Sequence, residues 1–258
     1  MRYLKHKHFL IIVSIICVVI LAYLPKTWSL EPAQEAEYEK GKKLLCEGKL
    51  DEALSIFTKL SKDNPSDLRL KLGFIDTTTE QARVFKEKNN PVWKTKIYEA
   101  FGDLKRLFPS NKTSPEIFLS FAKCYWVNNR LEKADTSLRK AFYYNPGYME
   151  AYIFQGTMYL EEGKALKKII SPVPTDTLDR DHDKFEKYCS KAKESFESAL
   201  GLSSENNAET TAMIHLRLGD TYQYLYNNKE DAQKEWNKAV SFAPDCMWAK
   251  EAKEKLNK

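Results

Sequence analysis

Apolar residues recur along this chain with helical spacing, and one frame of them returns several times. Ile117, Phe118, Phe121, Ala122 and Tyr125 stand at i, i+1, i+4, i+5 and i+8, the stripe of a single helix face. Leu131, Ala134, Leu138, Ala141 and Phe142 make a matching stripe after a short polar turn, and Pro146 closes the pair. Earlier in the chain Gly41 is followed by Ala53, Phe57 and Pro65 in the same order. Such spacing predicts antiparallel helix pairs, each helix burying one face and wetting the other.

The punctuation agrees. Gly48 can end a first helix in the left-handed conformation, and Asp51 and Glu52 suit the positive start of a second one. Asn64-Pro65 stops that second helix, because proline cannot continue it. Asn90-Pro91 and Ser114-Pro115 each read as a cap followed by proline in a first helical turn. A helix over Pro91 to Phe108 is thus better marked than the one before it.

These positions fit the thirty-four-residue pattern W-x2-L-G-x2-Y, A-x3-F, P, and the chain resembles the tetratricopeptide repeat (TPR) family. The resemblance implies an all-α, right-handed solenoid of about five helix-turn-helix pairs with a C-terminal capping helix, since no pair can bury its apolar face alone. Repeats are expected at about 34–67, 66–111, 115–148, 149–204 and 212–246, with the cap at 245–258. The second is degenerate: Gly73 and Ile97 stand 24 apart instead of 12, and Asp76 fills a tyrosine slot. The fourth has Tyr152, Gly156 and Tyr159, then Ala192, Phe196 and Ala199, with 24 extra residues between its halves. That insertion includes a helix extension over Lys164 to Ile170 and a break at Ser171-Pro172-Val173-Pro174. The fifth reads His215, Leu218, Gly219, Tyr222, then Ala232, Trp236, Ala239 and Pro244, with one residue added in its turn.

Residues 1–30 differ from this frame. Phe9 to Leu24 is sixteen residues without a charge, after a basic segment with Arg2, Lys5 and Lys7. As helix it is roughly 24 Å long, a little under the ~30 Å hydrocarbon layer. A signal peptide cut after Ser29 and a retained signal anchor with Tyr23 and Trp28 at the outer interface both fit. Thr27-Trp28-Ser29 lacks the usual A-x-A, which favours the anchor. Cys17 follows no small residue of the kind a lipidation site wants. Either way residues 31–258 are expected outside the cytoplasm, in the periplasm of a bacterial host, with the membrane contacted through residues 9–24 if they are kept.

Charge adds an exclusion. Arg2, Lys5, Lys7 and Lys26 precede the first acid, Glu31, which leaves 37 of the 41 bases to face all 36 acids. That balance carries no nucleic-acid signature. Cys46, Cys124, Cys189 and Cys246 show no CxxC spacing; they permit disulfides without demanding them and form no zinc motif.

Candidate chemistry is sparse. His6 and His8 belong to the N-terminal segment, and His215 occupies a slot the family fills with a large aromatic, which makes it a packing residue. Asp179-Arg180-Asp181-His182-Asp183 alternates acids as a calcium loop does, but Lys184 and Ser190 stand where that loop needs Gly and Glu. A charged helix start accounts for it better. Asn111-Lys112-Thr113 fits a glycosylation sequon, and no P-loop, GxGxxG, HExxH or GxSxG is present. No catalytic residue, cofactor or metal is expected.

What the resemblance leaves is a groove, lined in TPR proteins by the first helix of each pair and used for an extended peptide or partner helix. By the family's register the inward residues are Tyr38, Lys42 and Leu45; Leu119, Lys123 and Trp126; Ile153, Thr157 and Leu160; and Leu216, Asp220 and Gln223. Lys42 and Lys123 could imitate part of the carboxylate clamp of chaperone-binding members, but its asparagines are missing. Trp126 suits an apolar or helical ligand if exposed, and would be a packing residue if covered. The expected function is a non-enzymatic scaffold for a protein or peptide partner at the outer membrane face. The alternative is a structural protein that forms homo-oligomers through its inserted segment.

Overall fold

Several helices begin at side-chain caps. In a computed structural model, which describes residues 30–170, 179–203 and 207–257, the Ser114 hydroxyl accepts from the Ile117 amide at 3.4 Å. Asn228 accepts from Asp231 at 3.1 Å, and the Asn90 side chain from Val92 at 3.1 Å. The helices are α1 (Pro32–Cys46), α2 (Leu50–Asp63), α3 (Leu68–Glu87), α4 (Val92–Leu107), α5 (Pro115–Val127) and α6 (Leu131–Tyr144). They continue as α7 (Met149–Ile170), α8 (Asp179–Leu202), α9 (Ala208–Tyr224), α10 (Lys229–Phe242) and α11 (Met247–Leu256). A 3-10 turn at Phe108–Ser110 ends α4, and no strand occurs among the described residues. The expected targeting segment and the Ser171-Pro172-Val173-Pro174 break lie outside the described residues.

Four first-to-second-helix turns each hold one residue at positive φ: Gly48 (73°), Asn89 (54°), Asn129 (56°) and Asn227 (55°). Only glycine, or asparagine with its short polar side chain, enters that region cheaply. Three of these turns close identically, with Lys49, Asn90 and Arg130 amides donating to the carbonyls of Leu44, Phe85 and Tyr125 at 2.8–2.9 Å. In the fifth pair the bond runs from Asn228 to Tyr222, one residue wider, where the spacing predicts an added residue.

The described chain forms two compact units, one ending at Glu80 and the other starting at Gln81, where the repeat pattern predicts one continuous domain over 31–258. The division falls inside α3, at the polar run Asp76 to Gln81. There the hydroxyls of Thr77, Thr78 and Thr79 donate to the carbonyls four residues back, at 2.7, 3.0 and 2.8 Å. This satisfies buried hydroxyls inside the helix itself. The surplus dozen residues of the second repeat are thus helix rather than loop. α3 is a continuous 20-residue helix, and the Asp67 side chain caps its start by accepting from the Arg69 amide at 2.8 Å.

In the first unit Phe57 fills the space beside Gly41 and Gly73, with ring atoms 3.0 and 2.6 Å from where each glycine would carry a Cβ. In the second unit the same slots recur. Phe196 presses on Gly156 (2.7 Å) and Trp236 on Gly219 (2.5 Å). In the third repeat the smaller pair Ala122 and Leu138, both fully buried, takes that place. Successive first helices α5, α7, α9 and α11 touch one another in turn, as do the two helices of each pair from α5 to α10.

Candidate functional site

Within the first unit, Tyr38 is half-buried, edge-on to Phe57 at 6.0 Å, with Arg69 and Lys42 over its ring at 5.2 and 5.5 Å. Burial pushes its hydroxyl up to about 12; Arg69 opposes this and Glu39 adds to it. Lys42 is exposed and paired with Glu39 at 3.1 Å, and Leu45 is half-buried.

In the second unit a chain of polar contacts ties each first helix to the next. The Lys86 ammonium, at the end of α3, donates to the Val127 carbonyl at 2.6 Å and to the Asn129 side chain. Burial lowers its pKa, with Glu162 and Glu87 pulling the other way. Trp126 donates through Nε1 to Glu162 of α7 at 2.9 Å and stands edge-on to Phe154 at 5.7 Å. Lys167 of α7 donates to the Tyr224 carbonyl at 2.7 Å. Asp220 of α9 meets Arg217 at 3.2 Å and Lys255 of α11 at 3.1 Å, while Glu251 meets the same two cations at 3.5 and 3.6 Å. Burial disfavours the Lys255 ammonium, but the charge and hydrogen bond of Asp220, with Tyr224 and Glu251, together outweigh it and raise its pKa.

This arrangement sorts the residues read from the sequence. Leu119, Leu160 and Leu216 are buried (4, 0 and 0% exposed) and offer no surface to a guest. Neighbouring first helices approach so closely that a leucine pointing sideways is covered; Leu216 shares a core cluster with Trp236 and Ala252. Trp126 takes the packing alternative, its indole held by Glu162 and Phe154. Lys123, Ile153 and Thr157 are half-buried, and the Thr157 hydroxyl is spent on the Ile153 carbonyl at 2.9 Å. Asp220 is 1% exposed and serves as an internal counterion.

Asp220 and Gln223 do meet in one place, an open cleft of about 680 Å³ between α7, α9 and α11. Its walls are residues the family register passes over: Lys164, Lys167 and Lys168 from α7, Tyr224 from α9, and Lys255 from α11. The available signal was the predicted extension of α7, since the stripe Ile153, Thr157, Leu160 continued by two turns reaches Lys164 and Lys167. A second hollow, of about 510 Å³, lies along α2 alone between Asp51 and Asp63 and involves no first helix.

His215 lies outside the cleft, as a core group. It meets Glu235 at 2.7 Å and stacks on Phe242 at 5.2 Å. Burial raises the Glu235 carboxyl, but hydrogen bonds from His215 and Lys238 outweigh it and hold its pKa below the usual range. Among the described residues no disulfide joins Cys46, Cys124, Cys189 and Cys246, and the Cys246 sulfur caps α11 by accepting from Ala249 at 3.4 Å. No group of His, Cys, Asp and Glu able to hold a metal occurs among the described residues.

Helix pairs with one left-handed residue per turn, an aromatic seated on a glycine and first helices in sequential contact define an all-α helical-repeat fold of the TPR type. Among solved structures, TTC0263, a thermophilic TPR protein in Thermus thermophilus, is similar with a TM-score of 0.58 and 18% identity, over 87% of this chain and 100% of that one. A monomeric mutant of IFIT1 with Gppp-AAAA is similar with a TM-score of 0.50 and 18% identity, over 97% of this chain and 58% of IFIT1. At such identities the likeness concerns the fold. No family model matches the chain, and no curated protein matches its sequence.

Proposed function

We propose that the protein is a non-enzymatic interaction scaffold whose first-helix wall in the second unit holds a peptide or partner helix. The observation that carries this reading is the cleft of about 680 Å³ built by three successive first helices around Gln223 and Tyr224. A preformed, cross-tied wall lowers the ordering cost of binding. Tyr224, 43% exposed with Lys164 over its ring at 4.7 Å, supplies aromatic contact area of the sort that anchors interfaces. Among the described residues no helix is long and apolar enough to cross a membrane. The bases that precede residues 9–24 support attachment through that run, with the repeats at the outer face of the cytoplasmic membrane.

Crosslinking in native membranes followed by capture of the full chain tests this. A stable protein partner is expected, and Gln223→Ala with Tyr224→Ala should lose it. Undiminished capture by the double variant would remove the cleft from the proposal, and a protease that reaches the repeats only from the cytoplasmic side would overturn the placement.

A further inference from the structure

Two walls of the cleft differ in how their charges are met. On the α9 and α11 side, Arg217 and Lys255 are held by Asp220 and Glu251 at 3.1–3.6 Å, so these cations are already neutralised. On the α7 side three lysines share one face at i, i+3 and i+4, spread over roughly 6 Å of helix. Among the described residues Lys164 forms an ion pair with Glu161 (2.9 Å), whose side chain is 49% exposed, and Lys167 bonds a neutral carbonyl. Lys168 is exposed on the rim. This wall carries a surplus of two positive charges, and the exposed Tyr224 ring lies beneath it. Residues 161–170 exist because α7 runs to 22 residues where α1 and α5 have 15 and 13.

We propose that this cleft takes an acidic segment of the partner polypeptide and reads its side-chain carboxylates through Lys164, Lys167 and Lys168. The inference rests on the peptide-holding reading above and specifies its ligand. A chain terminus would need donors converging on one point, whereas these ammonium groups are strung along a helix and suit carboxylates strung along a peptide. A nucleic acid is the poorer match. The lysine face spans only roughly 6 Å of helix, whereas phosphate backbones want an extended surface of one sign.

The test is fluorescence anisotropy with the full chain in detergent. The probes are a labelled, end-blocked peptide of six glutamates, its six-glutamine counterpart with a free C-terminus, and a single-stranded oligouridylate. The glutamate peptide should bind, weakening as salt rises. Lys164→Gln with Lys168→Gln should weaken it about fivefold or more, given the modest worth of exposed charge pairs. Lys62→Gln, on the exposed side of α2, should change nothing. Equal or tighter binding of the glutamine peptide or the oligouridylate would overturn the proposal, as would glutamate binding indifferent to the α7 lysines. If the glutamate peptide fails to bind while membrane capture still depends on Tyr224, the acidic ligand falls and the scaffold stands. If neither occurs, both fall.

Discussion

The third and fourth hairpins share one frame and finish it differently. α5 stops at Val127, Asn129 turns the chain at φ 56°, and α6 returns over 14 residues with Leu138 against the small Ala122 position. α7 continues to Ile170 and α8 answers with 24 residues, while Gly156 admits the whole ring of Phe196. The regular hairpin gives most of its inward face to packing: Leu119 is buried, Trp126 is committed to α7 and Lys123 is half-buried. The irregular one overhangs the wall, and the cleft forms against that overhang. The cleft therefore comes from the departure and not from the repeat.

Core substitutions press hardest on this contrast. Phe196→Ala empties the space over Gly156 and should cost about 3–5 kcal/mol, whereas Leu138→Ala falls in the range of about 2–5 kcal/mol. Urea unfolding of both variants checks this, and a third hairpin more sensitive than the fourth would break the ranking. Gly219→Ala comes next. Its Cβ would lie 2.5 Å from the Trp236 ring and 3.1 Å from the Ala232 carbonyl, an overpacking expected to cost about 1–3 kcal/mol. Thermal unfolding would show it, and an unchanged midpoint would mean the indole moves aside freely.

Turn chemistry should matter less, and selectively. Asn129→Gly keeps the left-handed turn and should be nearly neutral, while Asn129→Val should lose about 1–2 kcal/mol. Equal loss from both would assign the effect to the Lys86 contact instead of to backbone conformation.

Acid should loosen the joint that α6, α7 and α8 make at Asp135. That carboxylate accepts from Tyr159 at 2.7 Å and Lys191 at 3.2 Å, with Arg139 at 3.6 Å. Burial raises its pKa, but these partners outweigh it and the net shift is downward. A folded pKa below the unfolded one gives stability that is present above about pH 4 and lost as pH falls toward the folded value. Glu235 adds to the same trend. Thermal midpoints from pH 6 to pH 3 should therefore fall, and Asp135→Asn should flatten the slope. The smallest effect belongs to the overhang: Lys164→Gln with Lys168→Gln should shift stability by under about 0.5 kcal/mol, because both side chains are at or near the surface. A larger loss in urea would make the overhang part of the core rather than a wall of the cleft.

Much of this frame is readable before folding. Gly48 in the first turn, the added residue before Asn228 and the run of α7 to Ile170 all follow from local rules, because they concern neighbours within one turn of chain. The site is not local. Leu160 and Leu216 match the family register yet are covered, since that depends on how closely one first helix approaches the next. Lys168 and Lys255 are 87 positions apart and share a cleft.

The chain by itself determined its helices, their order and the small residues against which aromatics pack, because periodicity and backbone preference act within a few residues. The tertiary structure alone decided which charges cancel and which stay available. Asp220 is spent on Lys255, and Glu162 on Trp126. That outcome depends on distances between helices joined only through the stack, and Coulomb and hydrogen-bond energies fall off over those few ångströms.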